Sequence, residues 1–202
     1  MSTPRDGVLL SVDQAKRYLQ VDEDGDDWDE LIADLIEEAE ASFEGYTGNR
    51  LVAEDETMYF DGEVHAIVLP YWPIKASSVT VTDTQGTVSA TDDEAFDTDY
   101  YRIEEDLGIL YRTTSIGSRK FWGAGKERWK IEWTGGLNQH REWERIKLEL
   151  RGSVRDWVAN VFLNMNPSAE GESDGGGISQ QVKVTQIPPR VLAVWDRYRR
   201  VY

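Results

Sequence analysis

Two long runs of helical periodicity stand far apart in this chain, with about eighty residues of strand-like texture between them. In the first run, "WDELIADLIEEAEASFEGYTGNRL", Trp28, Leu31, Ile32, Leu35, Ala39, Phe43 and Tyr46 share one face, with the acids mostly opposite. In the second, "REWERIKLELRGSVRDWVANVFLNM", Trp143, Ile146, Leu150, Val154, Trp157, Val158 and Val161 mark another apolar stripe. Neither stripe can stay in water, so the spacing predicts that the two helices find each other across the intervening segment. That segment, residues 56–136, reads as six short strands: "TMYFDG", "VHAIVLP", "SSVTVTD", "DYYRI", "GILYR" and "WKIEWT". No strand–helix–strand rhythm appears, so an antiparallel sheet or small barrel is expected. "YRIEEDLGILYR" has the pattern of a hairpin turning near Asp106–Gly108.

The predicted fold class is therefore α+β: a helical bundle core over 8–50 and 139–163, interrupted by an inserted antiparallel β domain over 56–136. A polar, glycine-rich flexible linker is expected over 164–177, "NMNPSAEGESDGGG". A C-terminal arm and docking helix follows over 178–202. Near the N-terminus, "SVDQAKRYLQV" places Gln14 three residues after Ser11, the spacing of a capping box at the start of a short helix.

Charge is unevenly spread. The 202 residues carry a net −16; residues 1–110 hold 28 acids and 6 bases, and residues 111–202 hold 10 acids and 16 bases. Such polarity suits subunits that meet acidic face to basic face. It opposes a general nucleic-acid binder, which needs a dominant basic footprint. With 7 lysines to 15 arginines, the acid excess points to a salt-rich, halophilic host, where salt screens the repulsion among carboxylates. No cysteine is present, so disulfides and thiolate metal sites are excluded. No membrane span is expected, since no stretch nears the roughly 18 continuous apolar residues of one. The N-terminus lacks the pattern of a secretory leader, and a soluble, cytoplasmically made chain is expected.

Chemistry finds little foothold. "VDEDGDDWDE" (21–30) tempts as a calcium loop from Asp22, but the sixth and twelfth positions are Asp27 and Ala33 rather than glycine and glutamate. The better reading is a helix start, with Asp26 or Asp27 capping and Asp29 or Glu30 facing the positive end of the dipole. "WGAGKE" lacks the first glycine and the final hydroxyl of a phosphate loop. His65 and His140 neighbour no nucleophile and are too far apart in sequence for a ligand pair. No catalytic, cofactor or metal residue is assigned, and the chain is not expected to be an enzyme. Trp72, Trp122, Trp129 and Trp133 in the β segment are either core or an exposed stacking surface.

The closing "IPPRVLAVWDRYRRVY" is a short amphipathic helix opened by proline. A helix this short gains stability only by docking, on its own domain or on a partner. Candidate partner-binding residues are Ile187, Pro188, Val191, Leu192, Trp195, Tyr198, Arg199, Arg200 and Tyr202.

In this order the parts resemble the head–tail connector (adaptor, or head-completion) proteins of long-tailed phages and related archaeal tailed viruses. The resemblance is carried by "LLSVDQAKRYLQVDEDGDDWDELIADLIEEAEASFEGYTGNRL", a short helix ending in "YL", an acidic turn, and a helix closing on an aromatic–Thr–Gly tripeptide. "IVLPYWPIKASSVTV", "DYYRIEEDLGILYR" and "WKIEWTGGLN" continue it, and the helix at 141–163 and the final "RYRR" helix complete it. It implies a non-enzymatic homo-oligomer, a dodecameric ring in the virion neck between capsid and tail, assembled in the host cytoplasm. Its expected partners are the portal protein, reached by the C-terminal segment, and a downstream neck or tail protein. Double-stranded DNA would pass through its channel without specific binding. Three rivals remain: a carbohydrate- or receptor-binding module using the β-segment tryptophans, an acidic hydrolase, and a neck stopper with a more purely β core.

Overall fold

The computed structural model describes residues 7–21, 27–84, 98–114, 117–165 and 187–200. The chain forms an α+β fold in two compact units: Met1–Thr47 with Glu144–Tyr202, and Gly48–Trp143.

The first unit is helical. α1 (Val12–Leu19) starts on Ser11, whose hydroxyl accepts from the Gln14 N–H while the Gln14 side chain reaches back to the Ser11 N–H, a complete capping box. It stops at Gln20, which turns left-handed with φ 58°. α2 (Asp29–Thr47) carries Asp29 and Glu30 in its first turn, complementing the dipole as the sequence predicts. Asp29 also holds the buried ammonium of Lys16 at 2.7 Å. The acidic residues 22–26 lie outside the described residues. α3 (Trp143–Met165) buries Ile146, Leu150, Val154, Trp157, Val158, Val161 and Phe162. The inner face of α2 is built from Ile32, Leu35, Ile36, Ala39 and Phe43, and Trp28, just ahead of α2, stands edge-on to Phe162 of α3 at 5.4 Å. α4 (Pro189–Trp195) closes the unit. The segment ahead of α1 is tied down by Glu40, whose carboxylate accepts the N–H groups of Val8 (3.0 Å) and Leu9 (2.7 Å). Gly7 is required there, because a Cβ would come within 2.5 Å of Ile36 and 2.6 Å of Glu40.

The second unit is two three-stranded antiparallel sheets. β1 (Glu54–Phe60) and β3 (Thr80–Asp83) flank β6 (Trp129–Gly135); β2 (Ala66–Val68) and β4 (Tyr101–Glu104) flank β5 (Ile109–Arg112). All six strands fall on the runs read from sequence. The β4–β5 hairpin turns through Gly108, whose φ of 60° suits a residue without Cβ. One core joins both sheets, with Ile67, Leu69, Val81, Leu110, Ile131 and three tryptophans at its centre. β6 alternates strictly, burying Trp129, Ile131, Trp133 and Gly135 and turning Lys130, Glu132 and Thr134 outward.

Candidate interaction site: the C-terminal helix

α4 has seven residues, too few to persist alone. Pro189 fixes its first turn, and the Val191 and Leu192 N–H groups bond the Pro188 carbonyl at 2.9 and 3.1 Å. Val191, Trp195 and Tyr198 follow at i, i+4 and i+7, and all three are buried. Burial of side chains this size contributes about 1.5–3 kcal/mol each.

The Trp195 indole stands edge-on to Phe43 of α2, with ring centres 5.6 Å apart. Its Nε1–H donates to Ser153 Oγ of α3 at 2.9 Å, and the Ser153 hydroxyl donates to the Leu150 carbonyl at 2.7 Å. The indole thus enters a dry core with its polar atom satisfied. Tyr198 donates to Glu149 Oε2 at 2.9 Å. Burial, then the Glu149 carboxylate, pushes the Tyr198 hydroxyl's pKa well up, so it stays a donor. Arg197 pairs with the other Glu149 oxygen. Tyr46 donates to Asp196, and the Arg199 guanidinium lies 5.3 Å over the Tyr46 ring. Arg190 reaches Asp156 at 3.0 Å, where Tyr18 also donates. The apolar peg is framed by polar ties to α2 and α3.

The predicted partner residues therefore fall into two groups. Val191, Trp195 and Tyr198 spend their apolar surface within this unit. Ile187, Pro188, Leu192 and Arg200 are half-buried, and Arg199 is exposed. Tyr202 lies outside the described residues. The sequence reading missed the receiving groups, Phe43, Ser153 and Glu149. One signal was present: Ser153 is a hydroxyl set inside the apolar stripe of Leu150, Val154 and Trp157, and such a group needs a polar guest.

The β unit corrects the carbohydrate- or receptor-binding alternative. Trp122, Trp129 and Trp133 are 0%, 1% and 2% exposed. Trp122 stands edge-on to Trp129 at 5.0 Å, and Trp129 Nε1 donates to the Gly123 carbonyl. Trp72 is half-buried. These rings fill the space between the sheets, and three of the four present no face to a sugar. The "WGAGKE" segment is an inter-strand loop, bonded through Gly125 and Glu127 to Gly62 and Asp61. His65 is exposed and stacks on Phe121 at 3.8 Å. Among the described residues, no group of three or more His, Cys, Asp or Glu is placed to hold a metal, and no helix is long and apolar enough to cross a membrane.

No family model matches the chain, and no curated protein matches it. Solved structures do. A chain in the neck of an empty GTA particle, computed with C6 symmetry, superposes with a TM-score of 0.57 at 18% identity, covering 100% of this chain and 94% of that one. A chain in the virion of a native gene transfer agent (GTA) particle gives 0.54 at 18% identity, with the same coverage. At that identity the likeness is one of fold, and it runs the whole length of the chain.

Proposed function

We propose that this protein is a non-enzymatic structural component of a tailed particle, a connector in the neck that assembles as a ring and joins the portal to tail-side proteins. The observation that carries the reading is the end-to-end likeness to a neck chain, helical unit and inserted β unit together. A neck computed with six-fold symmetry has its chains arranged about an axis, which supports a ring here. The dodecameric count, the continuous DNA channel and the salt-rich host belong to the same proposal. The acid excess suits the last two: a wall with few cations displaces few DNA counterions, so DNA slides without sticking.

Portal contact is assigned to the C-terminal arm. Since Val191, Trp195 and Tyr198 already serve the internal core, the half-buried Ile187, Pro188 and Leu192 and the exposed Arg199 are the available anchors, with Arg200 and Tyr202 beside them in sequence. Removing the whole arm also removes Trp195 from the core, so point changes are the cleaner test. Negative-stain microscopy of the purified chain should give annular particles that cap the portal. Leu192→Asp with Arg199→Glu should leave the annuli intact and lower portal binding by about tenfold or more. Monomeric particles at every concentration, with or without portal, would sink the connector reading.

A further inference from the structure

The two long helices have outer faces of opposite character. On α2, Glu30, Asp34, Glu37 and Glu38 are all exposed, and the helix holds no lysine or arginine. Carboxylates three and four residues apart repel, so this face is unfavourable until a cation meets it. On α3 the outward face carries exposed Arg145, Leu148 and Arg155, with half-buried Gly152 and Ala159 between and beyond them. Leu148 is left 64% exposed, and the Arg155 guanidinium lies 4.2 Å over the Tyr18 ring of α1. Glu144 stands at its edge, and Asp156 on the other flank is taken by Arg190. Each stripe includes a glycine with no internal reason to be one: a Cβ on Gly45 or Gly152 would meet nothing within 4 Å. Glycine inside a helix costs stability relative to alanine, and close approach of another backbone is the usual compensation.

The inner faces of α2 and α3 both turn to Trp195, which stands between Phe43 and Ser153, and Trp28, just ahead of α2, packs on Phe162 of α3. Their outer faces therefore look away from each other. A two-fold dimer cannot join two complementary patches on opposite sides of a subunit. A repeating head-to-tail contact can, and it closes into a ring when the rotation allows.

We infer that the acidic outer face of α2 docks on the Leu148–Gly152–Arg155 face of α3 in a second copy of this chain, the contact repeating around the ring. The inference rests on the ring reading above and names its interface. Opposite charge sets partner and register, Leu148 supplies the apolar anchor, and Gly45 and Gly152 let the helices approach.

The test is a charge-swap pair in the full chain. Variant one carries Asp34→Lys, Glu37→Lys and Glu38→Lys; variant two carries Arg145→Glu and Arg155→Glu, leaving Leu148 and Gly152 in place. All five positions are exposed. Sedimentation velocity should show each variant alone associating at least about 100-fold more weakly than wild type. An equimolar mixture should regain rings, because basic α2 of one then faces acidic α3 of the other, in alternation. That rescue also shows that both variants are folded. Rings formed by either variant alone at wild-type concentration, or a mixture that stays dissociated, would overturn this interface while leaving the ring reading standing. A wild type that never associates would remove both.

Discussion

Glu40 shows how one carboxylate couples the N-terminal segment to α2. Its two oxygens accept the Val8 and Leu9 N–H groups, yet its pKa is raised above the ordinary 4.5. Burial is the largest cause, opposed by those backbone hydrogen bonds and assisted by the nearby Glu44 charge. A carboxyl with a raised folded pKa binds its proton more readily folded than unfolded. Its stabilisation is full below the unfolded value and is lost as pH rises through the folded one. Glu40→Gln keeps a neutral oxygen for one N–H and cannot ionise. In urea titrations, wild-type stability relative to this variant should therefore fall as pH rises from below 4.5 toward neutrality, then level off. A difference that stays constant across that range would show that Glu40 does not titrate differently in the fold. None of this was readable from sequence, where Glu40 is one of 38 acids. The position that buries it is set by Ile36 and Ala39 on the same helix, and its guest arrives from thirty residues away.

At the scale of elements the legible and the hidden separate for a physical reason. Periodicity reports that a face is apolar, so α2, α3 and the six strands could be read from their own residues. It does not report what covers the face. Val191, Trp195 and Tyr198 give the same stripe whether the helix docks at home or abroad, and only Phe43, Ser153 and Glu149 decide it. The tryptophans of β6 carry their burial in their spacing: Trp129, Ile131 and Trp133 alternate with Lys130, Glu132 and Thr134, the signature of an inward face. Gly152 gives a test of the same logic. It lies mid-helix on the solvent side of α3, with no atom within 4 Å of where a Cβ would sit. Gly152→Ala should thus stabilise the unassembled chain by about 1 kcal/mol in chemical denaturation. Destabilisation instead would mean that a close contact inside the chain uses the missing side chain.

On the scale of the whole molecule, an insertion can interrupt a helical unit only if it begins and ends at nearly the same place. The first and last strands of the β unit meet this condition. Glu54 faces Gly135 in the β1–β6 register, and a Cβ on Gly136 would come within 2.7 Å of the Ala53 backbone. Before the strands pair, the ends are already fastened: Leu137 and Asn138 donate to the Arg50 and Leu51 carbonyls, and Asn138 Oδ1 accepts the Ala53 N–H at 2.8 Å. The core between the sheets is furnished entirely by residues of the insertion, its tryptophans included. The helical unit has its own core, completed by α4. Replacing 54–135 with Asn-Gly would join Ala53 to Gly136 through a two-residue turn matched to an antiparallel pair. The shortened chain should keep helical far-UV circular dichroism and a cooperative melt, and it should lose the tryptophan signal that Trp122, Trp129 and Trp133 contribute. Both crossing points are held by backbone hydrogen bonds that the excision spares. A shortened chain without a cooperative melt would therefore show that the helices draw stability from the sheets themselves, beyond the fastened ends.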